Sequence, residues 1–432
     1  MFHTSQIRSV KDVAEKHLCC GCGACSFASG GKIEMVDDLH NGRRPWVRPE
    51  DIAEIEAASI LDVCPGVGLE HESNGASGLS ELRGEWGPVL GLWEGYATDP
   101  DVRFAGSSGG AATALSLYCI ELAGMHGVLQ TAARPDIPFL NQTVLSRSRA
   151  ELMGSTGSRY APASPCDRLD LVERSPGPCV FVGKPCDVAA TLKARKLRKE
   201  LDEKLGLTIA IFCAGTPSTK GTLEMIRRMG VDDPSHVAEL RYRGNGWPGK
   251  AVATLVNGEE KQEASLSYEE SWNEVLSSHA QWRCRVCADH TGEFADIAVG
   301  DPWYRPIREG EAGMSLVLAR TQRGCDFIQQ AIEAGYLKLE SRSTEILPAS
   351  QPNLLQARGA VWGRILACRI MGVAAPRYRH MPMAGIWWHQ LTFWEKVRSL
   401  LGTARRALSR GLRLRKPVIP HDFETASHCS ST

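Results

Sequence analysis

Short apolar runs bounded by glycine, proline or polar residues recur along the chain. Leu90 to Ala97, Pro178 to Gly183, Leu207 to Phe212 and Phe294 to Val299 are the clearest. Runs of this length, rich in Val, Ile and Phe, predict strands buried on both faces, as in an α/β sheet. Between them the spacing changes to that of helices, over Ala111 to Leu122 and Val188 to Arg198. Nearer the start, His3 to Lys16 reads as a short polar helix, and Ile33 to Val36 and Arg43 to Val47 as strands. Pro45 favours an edge position, because it brings no N–H to a ladder. Asp51 to Ile60 has helical spacing and leads to Cys64, and His71 to Gly78 is a polar linker. Late in the chain Trp387, Leu391, Trp394, Val397, Leu401, Ala404, Leu408 and Leu412 recur at helical spacing. From Pro417 onward the pattern stops, and disorder is expected.

Composition narrows the class. With 432 residues, 43% hydrophobic and 23% charged, the chain is long enough for two or three globular domains. Lys+Arg and Asp+Glu each total 50, so no global field draws nucleic acid to it. There are 15 cysteines. An odd count in a long chain, with no apolar core in the first residues, does not read as a secreted disulfide framework. No apolar run approaches the length that crosses a bilayer. Reduced thiols in a cytoplasmic protein, several committed to metal, is the expectation.

The cysteine spacing carries the chemistry. Cys19, Cys22 and Cys25 form a C-x-x-C-x-x-C loop. That spacing aims three thiolates at one point, as a cubane iron–sulfur cluster requires, whereas structural zinc usually takes two separated pairs. Cys64-Pro65 supplies the fourth ligand, and Cys20 is a spare thiol. Further on, Cys284-Arg285-Val286-Cys287 is a pair that by spacing alone fits a redox dithiol, half a zinc site or half a cluster. Cys186 and Cys213 stand at two strand exits, where ligand sites of α/β sheets collect. With the pair they would make four ligands, but sequence does not show that they converge.

Two glycine–hydroxyl stretches fit a nucleotide. Ser107, Ser108, Gly109 and Gly110 precede a helix, where exposed N–H groups form a seat for phosphate. Ser155, Thr156, Gly157, Ser158, Arg159 and Tyr160 offer hydroxyls, a guanidinium and a ring; taken alone, a capped turn accounts for them. Arg241, Tyr242, Arg243 and Asn245 fit either a polar substrate face or a surface strand and turn. Asp301 and Trp303 fit either cofactor orientation or core closure.

The order of these motifs resembles the coenzyme F420 hydrogenase/dehydrogenase beta-subunit family over roughly residues 15 to 380. The matching elements are the Cys19 loop with Cys64-Pro65-Gly66, Ser108-Gly109-Gly110, Gly157-Ser158-Arg159-Tyr160 and Gly183-Lys184-Pro185-Cys186. They continue with Phe212-Cys213-Ala214-Gly215, the Cys284/Cys287 pair, and Ala295 to Asp301. Members are iron–sulfur flavoproteins that bind FAD. They include partners of hydrogenases and formate dehydrogenases, and stand-alone reductases of chlorophyll intermediates. The resemblance implies that Cys186, Cys213, Cys284 and Cys287 ligate a second 4Fe-4S cluster. It also implies flavin contacts in Ser107 to Gly110 and Ser155 to Tyr160. A common family form near Cys186 is Gly-Thr-Pro-Cys-Gln, so Lys184 and Asp187 are departures.

The implied architecture is α/β: a ferredoxin-like 4Fe-4S module and linker (1–80), two halves of a flavin- and cluster-binding domain (81–185 and 186–345), and a helical basic tail (346–432). The implied function is a relay from ferredoxin or a reduced deazaflavin, through two 4Fe-4S clusters, to FAD and a small organic substrate. One alternative is an electron-transfer subunit of a hydrogenase or dehydrogenase complex. Another is a non-enzymatic interaction protein of a membrane-associated biosynthetic pathway. That last reading rests on the tail, which between Glu395 and Lys416 holds eight basic residues and one acid. Such a helix can lie on an anionic membrane, here the inner face, or grip a partner, although packing on its own domain is the commoner outcome.

Overall fold

A computed structural model describes residues 7–52, 60–72, 78–257, 260–308 and 310–423. The N-terminal module opens with the helix Val10–Glu15, held by a Ser9/Asp12 capping box. A tight loop carries Cys19 and Cys22 into the helix Ala24–Ala28. Strands β1 (Ile33–Asp38) and β2 (Gly42–Val47) form an antiparallel ribbon of their own. Pro45 therefore sits on an edge, as its missing N–H requires. Residues 53–59 of the expected Asp51 to Ile60 helix lie outside the described residues; the 3-10 turn Ile60–Val63 delivers Cys64. β3 (Gly68–Glu70) follows, and residues 73–77 of the linker are likewise outside the description.

The larger part is built on an eight-stranded mixed sheet. β4 (Gly91–Ala97), β5 (Gly127–Ala133), β6 (Asn141–Ser146), β7 (Cys179–Gly183) and β8 (Leu205–Ile211) enter it in turn. The chain then leaves for a three-stranded antiparallel sheet of β9 (Val237–Arg241), β10 (Ala251–Asn257) and β11 (Glu260–Leu266). It returns with β12 (Ile297–Gly300), β13 (Ser315–Ala319) and β14 (Leu337–Ser341), giving the order β14-β4-β13-β12-β8-β7-β5-β6. The four inner strands β12, β8, β7 and β5 are parallel, flanked by antiparallel edges.

The apolar runs sit here because both faces are covered. Leu129, Phe181, Ala298, Leu316 and Leu318 pack on one side, against Phe27 of the N-terminal module and Leu347. The alternate residues Val128, Val180, Val299 and Val317 pack on the other, with Leu115 and Ile328 from the helices Ala111–Glu121 and Gln322–Glu333. Helix spacings expected from Ala111 and Val188 appear as Ala111–Glu121 and Pro185–Arg195.

The C-terminal part departs from one expectation. The helix Phe393–Ser409 forms, but it does not bury the apolar stripe the spacing marks. Trp387, Leu391 and Leu412 are buried, whereas Trp394, Leu401 and Leu408 are exposed and Ser399, Thr403 and Ala407 face inward. The cause is Gly363 on the partner helix Pro352–Ile370, which leaves room for a close approach. A Cβ built there would lie 2.3 Å from Ser399 Oγ, and Trp387 Nε1 donates to that same hydroxyl at 3.0 Å. The chain around Pro417 runs along the N-terminal module. Lys416 N–H donates to Glu15 carbonyl, and His421 N–H to Asp37 carbonyl at 2.8 Å. Arg415 pairs with Asp12 and Glu15, and Phe423 meets Phe139 edge-on. The chain is thus tied to the N-terminal module through His421 and reaches the larger part at Phe423, and 424–432 lie outside the described residues.

Candidate functional site

The carboxyl ends of parallel strands leave a crevice where their loops diverge. In this fold the crevice is a cleft of about 290 Å³. Gln130 and Thr131 of β5, Val182 and Gly183 of β7, Ile211 of β8, and Val299 and Gly300 of β12 form its floor. Both glycine–hydroxyl stretches line it, and they touch: Ser158 N–H donates to Ser107 Oγ at 2.6 Å. Gly110 takes φ +75° at the N-cap of the helix Ala111–Glu121, and no side chain caps that end. Its first-turn N–H groups are thus left to a ligand, with the positive end of the dipole behind them.

Not every predicted residue faces the cleft. Gly109 is beneath the turn, where its N–H donates to Ser315 Oγ and its carbonyl accepts from Ala97 N–H. An added Cβ there would lie 2.7 Å from Gly95 carbonyl oxygen and from Ser315 N, so this glycine serves the chain crossing and not a ligand. Arg159 borders the cleft but spends its guanidinium on the carbonyls of Pro138, Leu140 and Leu240 and on Asn141. Tyr160 packs on Tyr242 and Trp272.

Of the Arg241 to Asn245 group, Tyr242 is buried and shares a hydrogen bond with Thr222. Arg243 is buried and forms a bidentate pair with Asp301, at 2.9 and 2.6 Å. Trp247 Nε1 donates to the same carboxylate, and the rings of Tyr268 and Trp303 flank the guanidinium. Trp247, Trp303 and Tyr268 run as a stacked series, with centroids 5.9 and 5.6 Å apart, beside the cleft. Tyr268, Trp272 and Gln351 come from distant segments whose spacing carried no signal for a site.

The cysteines collect in two adjoining groups. Burial raises Cys25, with Cys19 and Cys64 close by, and raises Cys64 to about 12, with Cys20 and Cys19 close by. Cys22 turns toward Cys166 and Cys20, and hydrogen bonding with these two sulfurs, together with burial, holds its thiol well above the ordinary value. Cys213 lines the cleft, and Thr216 N–H donates to Cys284 Sγ at 3.3 Å. Burial, with Cys284 and Cys287 close by, raises Cys213 to about 12. Burial raises Cys287 to about 11. Cys186 instead stands against Cys20, whose thiol is thereby pulled well below the usual range, and Cys186 Sγ faces Asp187 Oδ1 at 3.9 Å. So Cys213, Cys284 and Cys287 come together, and Cys186 joins them only across Lys184, which feels both Cys186 and Cys213. Cys20, spare by spacing, stands at the junction of the two groups.

Two cations are set into this sulfur region. Lys184 Nζ pairs with buried Asp187 at 2.7 Å. Burial works against its charge, but Asp187 and the neighbouring sulfurs outweigh it and raise its pKa. Arg283 is 2% exposed and donates to Pro65 carbonyl at 3.0 Å. Among the described residues its Nε and Nη1 have no hydrogen-bond partner, while Tyr378, Cys287, Cys20 and Cys186 surround it. A buried guanidinium with unmet donors is costly in a set of neutral thiols. Sulfur-only donors and an unmet buried cation together fit an anionic iron–sulfur centre. Among the described residues no three His, Cys, Asp or Glu side chains meet closely enough for a single metal ion.

Comparison with known proteins agrees with the motif order. The family described as coenzyme F420 hydrogenase/dehydrogenase, beta subunit, matches twice, its N-terminal part over residues 92–169 and its C-terminal part over 178–345. The F420-dependent formate dehydrogenase 1 subunit beta of Methanococcus maripaludis is 24% identical over 245 residues, 57% of this chain and 60% of that protein. The coenzyme F420 hydrogenase subunit beta of Methanosarcina barkeri is 23% identical over 258 residues, 57% of this chain and 82% of that protein. A chain of the F420-reducing NiFe hydrogenase complex from Methanosarcina barkeri superposes with a TM-score of 0.51 at 19% identity. It covers 68% of this chain and 97% of that one, which supports the fold.

Proposed function

We propose, from the premise that this chain belongs to the coenzyme F420 hydrogenase/dehydrogenase beta-subunit family, that it is an electron-transferring iron–sulfur flavoprotein oxidoreductase. Cys19, Cys22, Cys25 and Cys64 would hold one 4Fe-4S cluster, Cys186, Cys213, Cys284 and Cys287 a second, and the cleft would hold FAD. Bound there, the clusters supply single-electron steps and the flavin converts between one and two electrons. The observation that carries the reading is Cys213, which belongs to a thiol group and to the cleft wall at once.

The chain's own residues divide the work. The uncapped start of the helix Ala111–Glu121, with Ser107 and Ser158 beside it, receives a phosphate. The Trp247, Trp303 and Tyr268 series offers an apolar wall to a flat ring. Arg243 is neutralised by Asp301 and holds that wall instead of binding an anion. Lys184 keeps a fixed positive charge between the sulfur region and the cleft. The N-terminal module is the docking side for a donor such as ferredoxin or a reduced deazaflavin, and a small organic substrate meets the cleft. The alternative, a subunit passing electrons to a catalytic partner, draws support from relatives that are named as subunits.

Anaerobically purified protein is expected to carry about eight irons with matching sulfide and one flavin, both bands bleached by dithionite. Near four irons would remove one cysteine group from the reading. A folded, colourless protein without iron or flavin would end it. Turnover by the isolated chain separates the stand-alone reductase from the subunit.

Ala112→Asp tests the phosphate seat. Ala112 lines the cleft in the first helical turn, where a carboxylate suits the helix dipole but repels a phosphate. Flavin affinity should fall about tenfold or more, on the order of 1.4 kcal/mol, with iron and melting temperature unchanged. Unaltered flavin retention in equilibrium dialysis would put the phosphate elsewhere.

A further inference from the structure

The helix Phe393–Ser409 presents outward the face that an amphipathic helix normally hides. Trp394, Leu401 and Leu408 recur two turns apart, and they are 74%, 67% and 66% exposed. Phe393 is 70% exposed beside them, and Trp388, just before the helix, is 64% exposed. Arg398 and Arg405 stand four residues after Trp394 and Leu401, hence on the same face, and both are exposed. Arg410 and Arg413 extend the exposed charge past the helix end. The one acid of the stretch, Glu395, is committed to the Thr392 capping box and to Gln356. The inward face is made of Ser399, Thr403 and Ala407, fixed on the glycine face of Pro352–Ile370 with Leu400 packed beside Trp387 and Leu391, so the larger apolar side chains are left outside.

We propose that this face is an interfacial membrane anchor that lies on an anionic phospholipid surface. Leu and aromatic side chains enter the boundary between headgroups and acyl chains, and the arginines meet the phosphates. Charge decides the occupant. A second copy packed face to face would set Arg398 and Arg405 against their own kind, whereas anionic headgroups neutralise them. No helix among the described residues is long and apolar enough to cross a membrane, so this one lies on the surface. The proposal stands apart from the redox reading, since none of these residues touches the cleft or the sulfur groups.

The test is cosedimentation of the full-length purified protein with phosphatidylcholine vesicles, with and without phosphatidylglycerol. Binding to the anionic vesicles at least tenfold tighter than to neutral ones, weakened by salt and accompanied by a blue shift of tryptophan emission, is the expected result. The double variant Trp394→Ser/Leu401→Ser should lose that binding tenfold or more. Arg398→Gln/Arg405→Gln should lose mainly the preference for anionic lipid. All four positions are exposed, so iron and flavin content and melting temperature should stay at the wild-type values. Failure to sediment with either vesicle overturns the proposal, as does binding that both variants leave unchanged. Analytical ultracentrifugation showing a dimer that Trp394→Ser/Leu401→Ser dissociates, without vesicle binding, overturns it in favour of a second copy. Capture only by an acidic protein, again without vesicle binding, overturns it in favour of a protein partner.

Discussion

Cys284→Ser, purified anaerobically, is expected to retain about half the iron of the native chain, keep its flavin, and lose electron delivery to the flavin. The thiol lies beside Cys213 and Cys287 and accepts a hydrogen bond from Thr216 N–H, so serine fits the space and removes only the soft ligand. A counterpart, Cys22→Ser, should remove a different half, leaving the inner group intact. The pair of variants is read by iron analysis, by electron paramagnetic resonance of the reduced protein, and by the rate of flavin bleaching with a one-electron donor. If Cys284→Ser keeps full iron, the inner quartet is wrong, and with it the path from cysteines to cleft. If both variants lose all iron, the two groups assemble as one unit, which the Cys20 and Cys186 contact would explain.

The second large effect is expected at Arg283. Its two unmet donors and its place among Cys20, Cys186 and Cys287 make it the charge that both sulfur groups share. A positive charge favours the more negative, reduced state of a nearby centre. A unit charge at close range and an effective dielectric near 20 is worth a few kcal/mol, so Arg283→Met should lower the reduction potentials by roughly 50–150 mV. Arg283→Lys should recover much of the shift, because it keeps the charge while losing the planar fork. A merely structural role would instead lower the melting temperature and the iron content with potentials unmoved. Redox titration followed by electron paramagnetic resonance distinguishes the two results.

The local part of the site was legible because its determinants are local. Cys19, Cys22 and Cys25 lie within one loop, and Gly110 with Ala111–Glu121 is a turn and helix in succession. The apolar runs reported β4, β7, β8 and β12, since strands buried on both faces have to be continuously apolar. By contrast β5, β6 and the side sheet carried no run that stood out, and Tyr268, Trp272 and Gln351 reach the cleft from segments without any motif. Gly109 looked like its neighbours in sequence, yet only the crossing under β4 and β13 shows that its N–H is already taken by Ser315.

By itself the chain determined the doubly buried strands and the helices that follow them, which thiols are ligand candidates, and the family to which their order belongs. Tertiary structure alone decided which side chains meet. Parallel strands bring the exits at Cys186 and Cys213 to one edge, and Arg283 is carried between thiols far from it in sequence. The last helix makes the contrast plainest. Periodicity specifies that Phe393–Ser409 is amphipathic, but the face it buries depends on the surface it meets, and the glycine at 363 admits serine and threonine and turns tryptophan and leucine outward.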